Sequence, residues 1–184
     1  MIIKIFPTLP AQLANAIKQF ERENFYAEGE RTAERLAEQE EKYFSPPKAW
    51  LLAFEDNQII GQILLHRREI AFDNRKVVLG GIGGVCTHKN KRKQGIATAM
   101  LKKAMTALKE WGCDVAYLCT NPKKTGSLYS QIGFVSLGKS YTYYGRSGRL
   151  YEDSDGMIAP VNSIELFEEV LHSKQILHLG TGNW

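Results

Sequence analysis

Hydrophobic residues along the chain follow two periods, one typical of helices and one typical of strands. Apolar positions three to four residues apart predict a helix after Pro10, through Leu13, Ile17 and Phe20. Gly112 stands where a C-terminal cap belongs for a later and longer helix. Four further helices are predicted, at residues 30–43, 96–111, 125–131 and 164–171, and Gly112 follows the second of these.

Apolar runs between these helices predict β-strands. A turn at Asp56-Asn57 joins two of the runs and indicates a β-hairpin, and a final hairpin is predicted between Phe134-Val135 and residues 141–144. We interpret the polar segment 67–74 as a loop. Strands that come first in succession and then alternate with helices predict the α/β (α+β) class with a mixed sheet. The other predicted strands are residues 2–6, 50–54, 58–66, 76–87 and 115–119.

The composition indicates an ordinary globular protein. With 43% hydrophobic and 24% charged residues, the chain differs from disordered, collagen-like and coiled-coil sequences. Its 184 residues predict a single domain, residues 1–184. The net charge of +4 favours an anionic small molecule and is too small to indicate a nucleic-acid partner. No apolar run approaches the ~18 residues of a membrane span, so no membrane partner is expected.

The cysteine content and the N-terminal sequence predict a cytoplasmic protein. Three cysteines do not make a disulfide framework in a chain of this length and favour a reducing compartment. Prolines stand where the apolar core of a signal peptide would run. The cysteines and the four scattered histidines lack the spacing of metal ligands, so we expect no metal site. We expect Cys86 to behave as a small buried apolar residue.

Residues 85–98 carry the clearest chemical pattern in the sequence. An apolar strand ends near Thr87, a basic loop follows through Lys93, and Gly95 and Ala97 open an amphipathic helix. The first amides of a helix have no intrahelical partner, and the helix dipole adds partial positive charge there. Because Gly95 lets the backbone come close to a ligand, the segment predicts an anion-binding loop that suits a pyrophosphate.

Two motifs give this segment a family resemblance. The loop lacks both GxxxxGK[ST] and GxGxxG, which excludes a P-loop and a dinucleotide fingerprint. It fits Arg/Gln-x-x-Gly-x-Gly/Ala instead, as Arg92-Lys93-Gln94-Gly95-Ile96-Ala97. Downstream, Asn121 precedes a segment in which Tyr129 leads to Gly133-Phe134. In the order and spacing of both motifs, the chain resembles the GCN5-related N-acetyltransferases (the GNAT superfamily) from about residue 77 to residue 135.

The resemblance implies a fold and a reaction. The implied fold is a GNAT-like mixed, mostly antiparallel twisted sheet flanked by helices, with an acetyl-CoA-binding core at about residues 77–135 and a C-terminal extension at about 150–184. The implied reaction is direct transfer of an acetyl group from acetyl-CoA to a primary amine held in line with the thioester. Tyr129 matches the position whose hydroxyl protonates the departing CoA thiolate.

The resemblance also implies which residues bind acetyl-CoA. Main-chain groups of Val85, Cys86 and Thr87 would pair with the pantetheine arm, and one amide there would donate to the thioester carbonyl as an oxyanion donor. Asn121 would touch the pantetheine as well. The pyrophosphate would be bound by Arg92, Lys93, Gln94, Gly95, Ile96, Ala97 and Thr98.

The general base is the point where this sequence departs from the family pattern. Many family members carry a glutamate on the fourth strand, whereas residues 80–84 are Gly-Gly-Ile-Gly-Gly. These glycines indicate either a bulge or a wide acceptor cleft. The sequence leaves several candidates for the base: Glu28, Glu30, His66, Glu69 and the terminal carboxylate of Trp184.

The acceptor is expected to be a small-molecule amine, with other functions left open. The tryptophan near the C-terminus is similar to that of the aminoglycoside 2'-N-acetyltransferase branch. Tyr141 and Tyr143 share one face of a predicted strand, as ordinary packing or as an acceptor-site wall. The alternatives are a protein or peptide N-acetyltransferase and a non-catalytic acyl-CoA-binding sensor. The C-terminal segment offers a means of forming a homodimer.

Overall fold

A computed structural model describes residues 1–25 and 32–184 of the chain. The helices of this part are α1 (Ala11–Asn24), α2 (Ala33–Lys42), α3 (Ile96–Glu110), α4 (Pro122–Ser130) and α5 (Ile164–His172). The first strands are β1 (Ile2–Phe6), β2 (Ala49–Glu55), β3 (Gln58–Phe72), β4 (Arg75–Thr87) and β5 (Val115–Cys119). The later strands are β6 (Val135–Ser136), β7 (Tyr141–Tyr144), β8 (Leu150–Asp153), β9 (Gly156–Pro160) and β10 (Leu177–Thr181).

The main sheet has seven strands in the order β1-β2-β3-β4-β5-β9-β6. Neighbouring strands of this sheet run antiparallel, apart from β4 and β5, which are parallel and are joined through α3. A parallel pair requires such a crossover connection. The arrangement confirms the predicted mixed, mostly antiparallel sheet flanked by helices.

The side chains of β3 alternate between the two faces of this sheet, as the geometry of a strand requires. On one face, Ile63 is fully buried, and a Cβ at Gly61 would meet Met100 of α3. On the other face, Gln62 binds a side chain of α1, and Arg68 binds the C-terminal segment. The helix α3 therefore covers one face, while α1 and the C-terminal segment cover the other.

Apolar packing fixes α3 against the sheet. Met100, Leu101 and Leu108 are almost fully buried and belong to the same core cluster as Ile63 of β3. Full burial of each such side chain contributes about 1.5–3 kcal/mol relative to exposure. The N-terminus of α3 is thereby held in a defined place beside the end of β4, where the anion-binding loop was predicted.

The predicted final hairpin between Phe134-Val135 and residues 141–144 is wrong. Strand β6 pairs with β9 at the edge of the main sheet. Strand β7 pairs instead with β8 and β10 in a second sheet of order β10-β7-β8. Local apolar runs predict that both segments are strands, but they do not specify which strands pair.

Hydrogen bonds to two aspartates hold β7 in the second sheet. The hydroxyl of Tyr141 donates to Asp155 at 2.6 Å, and that of Tyr143 donates to Asp153 at 2.6 Å. Both tyrosines are fully buried. Burial together with the neighbouring aspartates and Cys119 raises the pKa of both phenols well above the usual value. The shared face of Tyr141 and Tyr143 is thus explained by packing rather than by an acceptor-site wall.

The interpretation of residues 67–74 as a loop is also wrong. Strand β3 continues to Phe72, and the turn to β4 is confined to Asp73 and Asn74, whose φ values are 48° and 61°. Two consecutive positive φ values are typical of a tight β-hairpin turn. This part of β3 accommodates charged residues because they form ion pairs at the protein surface, such as that of Glu69 with Lys76 of β4.

The predicted helix 30–43 corresponds to α2, with Thr32 as its N-cap accepting from the amide of Arg35 at 3.2 Å. Residues 30 and 31 lie outside the described part. The predicted C-terminal extension at 150–184 is integrated into the fold, because β9 lies between β5 and β6 in the main sheet. Within residues 1–25 and 32–184, no helix has both the length and the apolar character needed to cross a membrane.

Candidate functional site

The middle of β4 pairs with the first three residues of β5, and the two strands then diverge. Their ladder runs from Leu79–Val115 to Gly81–Tyr117 and stops there. The rest of β5 pairs with β9 on its other side. Among the described residues, the β5-facing edge of β4 therefore has no strand partner over residues 82–87, and its main-chain groups there face a gap.

A β-bulge interrupts β4 inside this unpaired stretch. The pairing of β4 with β3 shifts by one residue between Gly83 and Cys86. Gly84 adopts φ +56°, a left-handed conformation that glycine adopts without strain. Val85, directly after this glycine, lines the cleft that fills the gap. The glycine-rich stretch is thus in part a bulge, one of the two predicted interpretations.

The loop after β4 exposes uncapped amides at the N-terminus of α3. A 3₁₀ turn over Lys89–Lys91 leads to Lys93 with φ 59° and Gly95 with φ 78°. Gly95 is the N-cap, with no side-chain cap and no acidic residue in the first turn. A Cβ on Gly95 would meet nothing within 4 Å, so the space beside it is open to a ligand. This is the geometry of an anion-binding helix N-terminus.

Arg92 supports the shape of this loop through main-chain contacts. Its guanidinium donates to the carbonyl of Asn24 at 2.6 Å and to that of Thr87 at 3.3 Å. The side-chain oxygen of Asn24 accepts from the amide of Lys89 at 2.8 Å. The loop is therefore joined to the C-terminal end of α1, and the positive charge of Arg92 lies beside it.

The other residues predicted for the pyrophosphate lie in the same turn. Gln94 is exposed, and its side-chain amide donates to the carbonyl of Asn90 at 3.4 Å. The side chain of Ile96 is buried, so this residue offers only its main-chain amide to a ligand. Ala97 and Thr98 are partly exposed in the first turn of α3.

A cleft of about 810 Å³ occupies the gap between β4 and β5. Aromatic and apolar groups form much of its wall, with a few charged and polar side chains among them. The apolar wall includes Phe25, Leu36, Tyr43, Phe44, Leu64, Ile82, Val85, Tyr129 and Trp184. The polar and charged lining includes Glu21, Gln39, Glu40, Ser45, His66, Thr120, Thr125 and Arg146.

Tyr129 of α4 faces the same cleft as Val85 of β4. Its ring packs edge-on against Phe134, with centroids 6.2 Å apart. Burial raises the pKa of the Tyr129 phenol to about 12, so the hydroxyl is protonated at neutral pH and can donate a proton. Asn121 lies between β5 and α4, where its carbonyl accepts from both the amide and the hydroxyl of Thr125 at 3.1 Å.

Residues 11–136 match the family model of the acetyltransferase (GNAT) domain. The chain belongs to the GNAT acetyltransferase family. The matched region contains the diverging strands, the loop before α3 and Tyr129.

Proteins similar to this GNAT domain include a curated N-alpha-acetyltransferase and solved N-acetyltransferase structures. The N-alpha-acetyltransferase MAK3 of Arabidopsis thaliana is 29% identical over 100 residues, which make up 53% of this chain and 50% of that protein. The match thus spans half the length of this curated relative. YhbS of Escherichia coli in complex with CoA has a TM-score of 0.62 at 17% identity, covering 98% of this chain and 88% of that one. The ribosomal-protein-S18-alanine N-acetyltransferase of Escherichia coli has a TM-score of 0.56 at 16% identity, covering 89% and 96%.

Of the residues that offer a candidate base in this GNAT domain, His66 and Trp184 line the cleft. Burial, together with nearby Arg68, lowers the pKa of His66 to about 4, so its imidazole is neutral at pH 7. Glu69 is exposed and pairs with Lys76 at 2.7 Å, and it is not part of the cleft wall. Glu28 and Glu30 lie outside the described residues.

Trp184 covers the strand segment that lacks the family's glutamate. A Cβ at Gly81 would lie 2.1 Å from the indole, and one at Gly83 would lie 3.2 Å from the carbon of the Trp184 terminal carboxylate. Glycine at both positions therefore lets Trp184 pack directly on β4. An oxygen of this carboxylate accepts from the Cys119 thiol at 3.2 Å, which places the residue at the end of β5 as well.

Sequence analysis missed two carboxylates of the cleft wall, Glu21 of α1 and Glu40 of α2. The Oε1 of Glu21 accepts from the side-chain amide of Gln62 at 2.7 Å. Two signals in the sequence point to this pair. Glu21 follows the buried Ile17 by four residues and so lies on the buried face of α1, and Gln62 stands in the apolar part of a strand.

The cysteines near the cleft are chemically inert. Burial raises the pKa of Cys86 to about 12, and the same effect raises the pKa of Cys119 to about 12. Both thiols are therefore protonated at neutral pH and are poor nucleophiles. Within residues 1–25 and 32–184, no group of three or more His, Cys, Asp or Glu side chains is arranged to hold a metal ion.

Proposed function

We propose that this GNAT domain transfers an acetyl group from acetyl-CoA to a primary amine of a small molecule. The observation that carries the proposal is the divergence of β4 and β5 directly beside the uncapped N-terminus of α3. An unpaired strand edge suits the amides of a pantetheine arm, and free helix amides suit a pyrophosphate. The two features follow each other along the chain, because β4 ends at Thr87 and α3 begins at Ile96, so a single extended ligand would span them.

The residues of the cleft supply the steps of the reaction. The amides of residues 92–98 and the charge of Lys93 hold the pyrophosphate, while main-chain groups of Val85 to Thr87 hold the pantetheine. One of these amides donates to the thioester oxygen as negative charge develops there. The protonated hydroxyl of Tyr129 then gives its proton to the sulfur as the C–S bond breaks. Asn121 contacts the pantetheine at the end of β5.

A small acceptor is favoured because the C-terminal segment closes one end of the cleft. Arg68 donates to the carbonyls of Thr181 at 2.6 Å and Gly182 at 2.9 Å. The amide of Asn183 donates to the carbonyl of Lys42 at 2.7 Å. These bonds hold Trp184 as a wall of the cleft, leaving less room for a polypeptide. Aromatic side chains and carboxylates around the remaining space suit a cationic amine.

A protein or peptide acceptor is the second candidate, since the relatives include an N-alpha-acetyltransferase and a ribosomal-protein acetyltransferase. The test is a panel of tyramine, spermidine, kanamycin and peptides with free N-termini, with release of the CoA thiol as the readout. Turnover of the small amines alone supports the proposal, and turnover of the peptides alone establishes the second candidate. Binding of acetyl-CoA without turnover of any member would make the domain a sensor.

Donor binding is tested separately by calorimetric titration with acetyl-CoA. Lys93→Glu places a negative charge beside the uncapped amides and should weaken binding by about 10-fold or more, as expected for reversed charge at an anion site. Lys103→Glu makes the same change of net charge at an exposed position two turns along α3 and should leave binding unchanged. Equal effects of the two variants would contradict the assignment of the pyrophosphate site to this loop.

A further inference from the structure

Gln62 is the most deeply buried polar side chain on the cleft face of β3. It is 1% exposed, its Nε2 donates to Glu21 at 2.7 Å, and its Oε1 is buried without a hydrogen-bond partner among the described residues. A buried amide oxygen without a partner is costly in a core. The bond from Nε2 holds the carboxylate of Glu21, whose side chain is partly exposed.

The fixed carboxylate lies beside the proposed reaction centre. Glu21 forms part of the cleft wall together with Val85 and Tyr129. Gln62 pairs with Cys86 across the β3–β4 ladder, and a Cβ at Gly84 would lie 3.5 Å from its Nε2. The amide thus places the carboxylate next to the bulge whose following main-chain groups are proposed to hold the thioester.

We propose that Glu21 is the general base of this GNAT domain and that Gln62 is its positioning residue. This inference rests on the proposed function. Because Gln62 occupies Oε1, the second carboxylate oxygen is left to accept a proton from the acceptor ammonium. The role falls to Glu21 because β4 supplies no carboxylate, His66 is stacked against Trp184, and the terminal carboxylate of Trp184 accepts from the Cys119 thiol.

The proton balance of the step is complete with these groups. The ammonium R–NH3⁺ gives one proton to Glu21, and the neutral amine forms the new C–N bond. The C–S bond breaks, and the sulfur takes the proton of the Tyr129 hydroxyl. The excess proton on the new amide nitrogen restores Tyr129, and Glu21 releases its proton to solvent. The products are the N-acetylated amine, CoA and one proton, with no further reactant.

Several ionisable groups share the cleft with Glu21 or pack close to it. They come from α2, the strands, α4, the loop before α3, the turn between β7 and β8, and the C-terminal segment. They are Glu40, Tyr43, His66, Cys86, Cys119, Tyr129, Arg92, Arg146 and the terminal carboxylate of Trp184. Glu23 lies on the same helix as Glu21, is exposed, accepts from the side-chain amide of Gln19 at 2.9 Å and is not part of the cleft wall. It is therefore the matched control for Glu21.

The test compares Glu21→Gln with Glu23→Gln, using the panel amine that the wild type acetylates fastest. Glu21→Gln should lower kcat about 100-fold or more, as for loss of a general base, with acetyl-CoA affinity unchanged by calorimetry. Glu23→Gln should retain kcat within about 3-fold, and Glu21→Asp should recover part of the rate. Wild-type turnover together with full activity of Glu21→Gln would overturn the inference while leaving the proposed function intact. Absence of wild-type turnover would overturn the function itself.

Gln62 is tested through the pH dependence of kcat. Gln62→Glu places a second carboxylate against Glu21, and a close pair of carboxylates shares a proton, so the acidic limb of the profile should move to higher pH. Gln62→Met fills the same buried space without a donor and should lower kcat about 10-fold while the melting temperature changes little. A purely structural role predicts loss of stability with an unmoved pH profile, and that result would overturn the positioning role.

Discussion

The indole ring of Trp184 lies parallel to the imidazole of His66, with the ring centroids 5.1 Å apart and the planes inclined by 8°. The guanidinium carbon of Arg68 lies 4.3 Å from the centroid of the same indole. His66 and Arg68 are alternate residues of β3, so one strand face holds the C-terminal tryptophan against the sheet. This contact closes one end of the cleft, and it gives two predictions about the acceptor side of the site.

Trp184→Ala should destabilise the fold and widen the range of acceptors. Trp184 is 5% exposed, and truncation of a buried tryptophan typically costs about 3–5 kcal/mol of unfolding free energy. Chemical denaturation measures this loss, and the acceptor panel should show higher KM for small amines with new activity on bulkier ones. Ile176→Ala, at a position that is 48% exposed, is the control and should change neither property. An unchanged acceptor range would show that Trp184 has only a structural role.

Gly81→Ala should destabilise the protein through Trp184 specifically. The added Cβ would lie 2.1 Å from the indole, a distance that forces the ring to move. A double-mutant cycle with Trp184→Ala measures the dependence, since the effects of contacting residues are not additive. We expect the double variant to be about as stable as Trp184→Ala alone. Additive losses would mean that Gly81 is required for another reason.

Gly95→Ala should weaken acetyl-CoA binding, whereas Gly112→Ala should not. Both glycines have positive φ, 78° and 68°, and both face open space at opposite ends of α3. Each substitution therefore adds similar backbone strain of about 1–2 kcal/mol. Only the methyl group at Gly95 stands in the way of a ligand approaching the helix amides. Titration with acetyl-CoA should show about a 10-fold loss for Gly95→Ala alone, the effect of about 1.4 kcal/mol.

Tyr129→Phe should lower kcat and spare donor binding. The phenol, with its pKa raised to about 12 by burial, remains an acid across the neutral range. Loss of a general acid typically lowers the rate by a factor of about 100 or more, while the ring still packs against Phe134. Tyr144→Phe, at an exposed position in β7, is the control. A variant with full activity would assign protonation of the thiolate to another group or to water.

His66 should make the protein less stable in mild acid. Its pKa is lowered from 6.5 to about 4 because burial disfavours the imidazolium. The unfolded state therefore binds a proton at a higher pH than the folded state does. The contribution of His66 to the unfolding free energy should be fully present above about pH 6.5. It should fall by up to about 3 kcal/mol as the pH drops towards 4. His66→Phe keeps a ring against Trp184 and should flatten this pH dependence, whereas the exposed His172→Gln should not.

The features that could be predicted from the sequence are those made by neighbouring residues. The loop before α3, its left-handed glycine and the amphipathic helix behind it form one contiguous segment, so their geometry follows from local residue types. Tyr129 likewise lies near the end of α4, and Gly133-Phe134 follow in the segment directly after this helix. The residues proposed to bind acetyl-CoA could be named without knowledge of strand pairing.

The acceptor side depended on contacts between distant segments. Glu21 and Gln62 are 41 positions apart, and neither residue type by itself indicates a site. The four glycines of β4 indicated a bulge or an open cleft, yet Gly81 and Gly83 are covered by Trp184 from the other end of the chain. The pairing of β7 with β8 and β10 was missed for the same reason, because apolar periodicity does not select a partner strand.

The sequence by itself determined the family, the helices and most strands, and the anion-binding loop, because local propensity and contiguous motifs encode them. Only the tertiary structure showed that Glu21 faces the cleft and that Trp184 forms part of the cleft wall. Those outcomes depend on strand register and on the packing of the C-terminal segment against β3. Register and packing minimise the free energy of the whole chain, so no short segment contains them.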